Sequence, residues 1–171
     1  MGKVNRGKVF EDVVKDCLEK DPDVYVLRLY DPQGGYAGVA NPCDFIVHNH
    51  RMFMIECKSV HENTISIYSK SKDPKKPHDY GAFTNRQWEG MLRATNTTSG
   101  RVMAGALIWW VDRDVTKFIP IQILEQIRNT GAKSIRYDLD IPNSLVIKGI
   151  KKRVYFDYDF REFFEKYEKG T

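Results

Sequence analysis

The sequence has few cysteines, no long apolar run and little excess of charge of either sign. Its three cysteines, Cys17, Cys43 and Cys57, are odd in number, widely spaced and set in apolar surroundings. That excludes a disulfide framework and a zinc knuckle, and marks them as reduced core thiols. The longest mostly apolar stretch, residues 102–111, is about half of the roughly 20 residues needed to cross a bilayer. No basic and apolar leader opens the chain, so a soluble, cytoplasmic protein with no membrane partner is expected. No linker, internal repeat or low-complexity tract divides the 171 residues, and a single domain over 1–171 is expected. A glycine-rich phosphate loop is missing, so no nucleotide cofactor is expected, and no Ser/His/Asp arrangement offers a nucleophile.

What is present describes a globular protein. Apolar residues make up 42%, charged residues 29% and aromatics 12%, a balance that excludes disordered, collagenous and coiled-coil chains. The 27 basic and 23 acidic residues leave a net charge of +4, too small to identify a nucleic-acid-binding protein by itself. The basic residues are nevertheless clustered: Lys3, Arg6 and Lys8; Lys70, Lys72, Lys75 and Lys76; Lys148, Lys151, Lys152 and Arg153. Each cluster alone also fits an ordinary solvated surface.

Apolar periodicity gives the coarse order of elements. Asn5 is a candidate N-cap for a helix whose buried face carries Val9, Phe10, Val13, Val14, Cys17 and Leu18. Residues 24–30 read as a strand, followed by a loop rich in glycine. Residues 44–47 and 52–58 read as a hairpin around His48, Asn49 and His50, and 64–68 as a possible extension of the sheet. Residues 69–81 form an exposed lysine-rich loop, and Thr84 opens a second helix with Trp88, Met91 and Leu92 inside. A strand at 102–111, buried on both sides, can pair with 117–119; a helix follows from Pro120 to a stop at Gly131. Short strands near Leu145 and Val154 and a helix over 159–168 complete the chain. Trp109 and Trp110 are expected to fill the core or a subunit contact rather than to stack on a base.

The hairpin carries the chemistry. Asn41-Pro42-Cys43-Asp44 is followed by Glu56-Cys57-Lys58, and strand alternation puts Glu56 and Lys58 on one face. Asp44 joins them only if 44 and 56 are in register, which requires an odd-length hairpin loop or a bulge. The apolar set Phe45, Val47, Phe53, Ile55 and Cys57 then lies wholly on the other face, so the hydrophobic pattern itself favours this register. Two carboxylates brought together repel unless a cation lies between them, and hard oxygen donors suit magnesium or manganese rather than zinc. The Cys57 carbonyl could add a further oxygen. A lysine beside such a centre can orient an attacking water and offset charge on a phosphate, which together equip the site for phosphodiester hydrolysis. A surface ion pair of Lys58 with Glu56 or Asp44 would produce the same spacing.

Asp44 with Glu56-Cys57-Lys58 resembles the PD-(D/E)XK nuclease motif, departing from it by Cys43 between Pro42 and Asp44. Residues 5–11 (NRGKVFE), Gln87 and the tail segment 153–158 (RVYFDY) extend the likeness to the RecU-type Holliday junction resolvases of bacteria and their phages. The resemblance implies an α/β, restriction-endonuclease-like fold with a mixed central sheet flanked by helices. It also implies a homodimer that cleaves four-way DNA junctions by paired nicks with Mg2+, Mn2+ substituting, in the cytoplasm of a bacterial cell or phage-infected host. Asp44 and Glu56, with Cys57, would hold the ion, Lys58 would orient the nucleophile, Glu11 would lie behind the ion, and Gln87 would position water or phosphate. Thr84-x-x-Gln87 equally fits a capping box. Lys3, Arg6, Lys8, Lys70, Lys72, Lys75, Lys76 and Arg86 are the candidate DNA contacts, binding phosphates without reading sequence. Residues 29–41, between the first strand and Asp44, are only thirteen, so that family's usual stalk is either much reduced or a flexible glycine-rich loop, and the lysine-rich loop 69–81 could supply backbone contacts instead. A restriction-type or flap-cleaving nuclease, and a non-catalytic protein that binds branched DNA, are the competing assignments.

Overall fold

Apolar residues spaced for helices and for strands sort this chain into a sheet with helical layers on both sides. The structure, a computed structural model, describes residues 6–30, 41–70, 75, 79–153 and 155–168. In chain order these form α1 (Arg6–Leu18), β1 (Tyr25–Arg28), β2 (Phe45–Asn49), β3 (Arg51–Val60), β4 (Thr64–Ser66), α2 (Asn85–Thr97) and β5 (Val102–Trp110). A 3-10 turn at Val111–Arg113 leads to β6 (Val115–Pro120), α3 (Ile121–Asn129) and β7 (Ser134–Arg136). The chain continues through β8 (Leu145–Val146), β9 (Gly149–Lys151), β10 (Phe156–Tyr158) and α4 (Arg161–Glu168). No helix among the described residues is long and apolar enough to cross a membrane.

The central sheet has six strands in the order β1-β2-β3-β5-β6-β8. β3 and β5 run parallel and the other neighbours antiparallel, giving a mixed sheet. Alternation along the strands divides the core in two. Phe45, Val47, Phe53, Ile55, Cys57, Leu107 and Phe118 face α1 and α4, where Phe53 meets Phe163 at 5.0 Å between ring centres. Met54, Ala104, Ala106, Ile108, Trp110 and Ile119 face α2 and α3. The expected α/β architecture is therefore formed, and all three cysteines are free and buried as expected.

Two sequence expectations change. Residues 64–66 do not extend the central sheet, because β5 occupies the parallel position beside β3 along its length. β4 pairs instead with β7 in a separate two-stranded sheet that buries Ile65 and Ile135. Near Val154, itself outside the described residues, the chain forms a two-stranded sheet of β9 and β10 rather than one strand. Asn5, Lys3, Lys72, Lys76 and the glycine-rich loop 31–40 also lie outside the described residues.

The hairpin register is set by its turn. Asn49 pairs with Arg51, leaving His50 alone at the tip with a φ of 53°. An odd loop gives an even register sum, so Phe45 faces Ile55 in the last pair of the ladder. Asp44 lies just outside it, at the bend before β2, where its amide donates to the Ile55 carbonyl at 3.1 Å. A left-handed tip disfavours β-branched side chains. His50→Val is expected to destabilise the protein by about 1–2 kcal/mol, while His50→Gly stays within about 0.5 kcal/mol. The measurement is the urea midpoint at constant m-value.

Candidate active site

Glu56 is the centre of the polar cluster and the most deeply buried charged side chain in it, with 1% of the residue exposed. It extends from β3 toward the α2 side, next to Met54 and Lys58 on the same face. Its Oε1 accepts from two groups: Lys58 Nζ at 2.8 Å and Gln87 Nε2 at 2.6 Å. Its Oε2 is buried and has no hydrogen-bond partner among the described residues. Burial pushes the Glu56 carboxyl up to about 8; Lys58 pulls the other way, and the negative charges of Asp44 and Glu11 add to the rise. Lys58 also lies 5.3 Å from the centre of the Phe83 ring.

Asp44 stands at the bend before β2, close enough for its charge to raise the Glu56 carboxyl. Its Oδ2 accepts the Cys57 amide hydrogen at 2.7 Å, a bond that orients the carboxylate across to β3. The Cys57 thiol faces the other way, into the apolar core beneath α1, so only its backbone belongs to this side. Complete burial pushes that thiol far above its usual range, and burial pushes Cys43 up to about 12, so neither is a thiolate ligand at neutral pH.

Gln87 forms the capping box read from the sequence, and its amide also reaches Glu56. Thr84 caps α2 by accepting the Gln87 amide at 3.2 Å, and Gln87 Oε1 accepts the Thr84 amide at 2.9 Å. The remaining Nε2 is thereby aimed at Glu56, and Oε1 lies 3.4 Å from Lys58 Nζ. The capping box is the device that points the amide, because it fixes the side chain at both ends of its oxygen.

Glu11 belongs to the opposite layer. It projects from α1 and is paired with Arg28 at 2.5 Å, and Arg28 also pairs with Asp12. Glu11 still raises both the Glu56 carboxyl and the Cys57 thiol electrostatically, which places its charge within reach of the cluster. Arg28 was not among the residues read from the sequence as functional. On β1 it shares a face with Val26 and lies opposite Phe45, an inward position where an arginine needs a carboxylate.

The basic residues are spread more widely. Lys8, Lys70, Lys75 and Arg86 are exposed, and Arg86 sits in the first turn of α2, next to Gln87. Arg6 begins α1 and donates to His61 Nε2 at 3.3 Å, while His61 Nδ1 pairs with Asp112 at 2.9 Å. Ser69 and Asp79 exchange backbone hydrogen bonds of 2.9 Å, which pinches the lysine-rich loop at its base.

These donors fit a hard dication. Glu56 Oε2 lacks a hydrogen-bond partner among the described residues, and the negative charges of Asp44 and Glu56 make each other costlier. Among the described residues no three His, Cys, Asp or Glu side chains form a ready cage, so further ligands would be water, backbone or substrate oxygens. Magnesium is usually bound in that way.

Because the Glu56 carboxyl is raised from 4.5 to about 8, the folded protein without a dication binds more protons than the unfolded chain across that window. Stability is therefore expected to fall as pH rises through it, with a slope approaching about 1.4 kcal/mol per pH unit. Urea midpoints measured in a chelator should show this slope, and Glu56→Gln should flatten it.

The chain matches no family model and no curated protein. Among solved structures it is similar to Hjc of Archaeoglobus fulgidus, described as a Holliday junction resolvase from an archaeal hyperthermophile. The identity is 20%, the TM-score is 0.45, and the match covers 68% of this chain and 78% of that one.

Proposed function

We propose that this protein is a metal-dependent endonuclease that cleaves branched DNA, with four-way junctions as its substrate. The observation that carries the reading is the buried Glu56 carboxylate within electrostatic reach of Asp44, with Lys58 and Gln87 on one Glu56 oxygen and the other oxygen without a hydrogen-bond partner among the described residues. The four-way junction comes from the sequence resemblance to resolvases, and no subtype of resolvase is assigned.

Asp44 and Glu56 would hold Mg2+ or Mn2+, which supplies the charge that polarises a phosphodiester and acidifies water. The rest falls to the chain's own groups. Lys58, part-exposed at the edge of the cluster, holds the attacking water by hydrogen bonding and offsets the negative charge that builds on the phosphate. Gln87 fixes the rotamer of Glu56 through Oε1, so that Oε2 stays turned to the ion. Glu11 contributes negative charge from behind and is itself held by Arg28. Lys8, Lys70, Lys75, Arg6 and Arg86 contact the phosphate backbone without sequence preference. Resolving a junction takes two symmetric nicks, so the working unit is a twofold homodimer.

Asp44→Asn tests this. The substitution keeps an oxygen to accept the Cys57 amide and so spares the fold. Cleavage of a four-way junction in magnesium is expected to drop by at least about 100-fold, while junction binding without the ion is retained. Unchanged cleavage would remove the assignment of these carboxylates. A comparison of junction, flap and linear duplex substrates settles the substrate class, and preferential sequence-specific duplex cutting would overturn the junction assignment.

Lys58→Met is expected to cost a similar factor, about 100-fold, in cleavage. With Glu56 left buried beside one fewer cation, it should also raise the pH at which added magnesium restores activity, which a pH series of cleavage rates would show.

A further inference from the structure

A cavity of about 510 Å³ opens on the other side of the sheet from the carboxylate cluster, within the size range of small-ligand sites. Its walls come from the start of α1 (Arg6, Val9), the end of β5 (Trp109, Val111), Asp114, and the β9–β10 hairpin (Lys151, Arg153, Tyr155, Phe156). Aromatic rings form the walls and cations the rim. Trp109 is buried and packs on Phe10 at 5.5 Å between ring centres, the core role expected of it, while Tyr155 is 42% exposed. Among the described lining residues three cations face one carboxylate, Asp114, which is already paired with Lys151. Such a cavity accepts a flat apolar ring attached to an anion.

Its place in the fold says which one. Trp109 pairs with Ser59 and Ile108 with Lys58, so the cavity lies at the same end of β3 and β5 as the cluster, one residue further along. From Glu56 to Ser59 is about 10 Å at the rise of a strand. The rim between the two sites is closed by Arg6, His61 and Asp112, which join the start of α1 to the exit of β3 and the 3-10 turn. A phosphate backbone leaving the cluster around this end of the sheet meets Arg6 first and then the cavity.

We infer that the cavity between α1 and the β9–β10 hairpin binds an unpaired nucleotide of the DNA strand held at the carboxylate cluster, its base stacking on Tyr155 and its phosphate held by Arg6 and Arg153. The inference deepens the proposed nuclease reading by naming a second point of contact with unpaired DNA. Stacking on an aromatic ring is sequence-tolerant, because every base offers a π-face. It also distinguishes substrates with unpaired nucleotides from intact duplex, whose bases are not free to enter.

The test is equilibrium binding of a fluorescein-labelled oligothymidylate, and of a blunt duplex carrying the same label, to the full chain in a chelator so that nothing is cut. Tyr155→Ala is expected to weaken oligothymidylate binding about 5- to 100-fold and to leave duplex binding within about twofold. Tyr155→Phe, which keeps the ring, should bind like the parent. Arg153→Gln should lower the salt dependence of oligothymidylate binding by about one phosphate contact. Equal weakening on both probes, or no loss on the single strand, overturns the inference. Neither result alters the effect of Asp44→Asn on cleavage, so failure here leaves the carboxylate assignment standing. Likewise an active Asp44→Asn enzyme would leave a single-strand-selective loss in Tyr155→Ala intact.

Discussion

A carboxylate that is almost wholly buried, and hydrogen-bonded through only one of its oxygens, is the constraint from which the rest of this structure follows. Glu56 is held against its own desolvation by one cation and one amide, and the charge of Asp44, at the bend before β2, bears on it. Leaving a buried acceptor unmade costs about 1–3 kcal/mol, and more when the group is charged. Such a cost persists in a fold only where the surroundings over-determine the geometry. Here they do: the sheet fixes the backbone of both carboxylates, and the helix cap fixes the amide.

The two sides of the sheet divide the labour. The side facing α1 and α4 is an aromatic core in which Phe53, Phe118, Phe163 and Phe164 are buried together, and truncating one such ring typically costs about 3–5 kcal/mol. The side facing α2 and α3 has smaller residues on β5, Ala104 and Ala106, which sit alongside Met54 and Glu56 in the pairing of β3 with β5. Both sides bury a substantial apolar core, and polar chemistry is admitted on the second, where Glu56 lies. Arg28 and Glu11 link them, since an ion pair on the α1 side acts electrostatically on the carboxylate of the other.

Most of this was legible in the residues. The run Phe45, Val47, Phe53, Ile55, Cys57 is apolar at every second position, and that alone gave the register in which Phe45 faces Ile55. Thr84 and Gln87 signalled a cap through local chemistry that needs no tertiary information. What local pattern could not supply was long-range partnership. Residues 64–66 have the alternation of a sheet strand, but their partner, β7, is distant in sequence, and nothing in either segment names the other. The β9–β10 hairpin was hidden for a different reason: each strand is only three residues long and β9 is exposed throughout, so the apolar alternation that marks a strand is too short to see. Arg28 went unread as a site residue because an arginine at a strand end is usually solvated, and only its pairing opposite Phe45 shows that it points inward.

The parallel pairing of β3 with β5 has a consequence for the order in which the molecule is built. The β2–β3 hairpin closes over a single residue and needs little of the chain, whereas β5 joins it only after β4, the lysine loop and α2 have been laid out between them. Closing that long segment carries the heavier entropic toll and makes the seam between the two halves of the sheet a late event. Gln87 rides on the helix inside that crossover, so the emerging polypeptide displays its acidic pair before it owns the amide that disciplines it. Competence for chemistry thus waits on the crossover rather than on the hairpin alone.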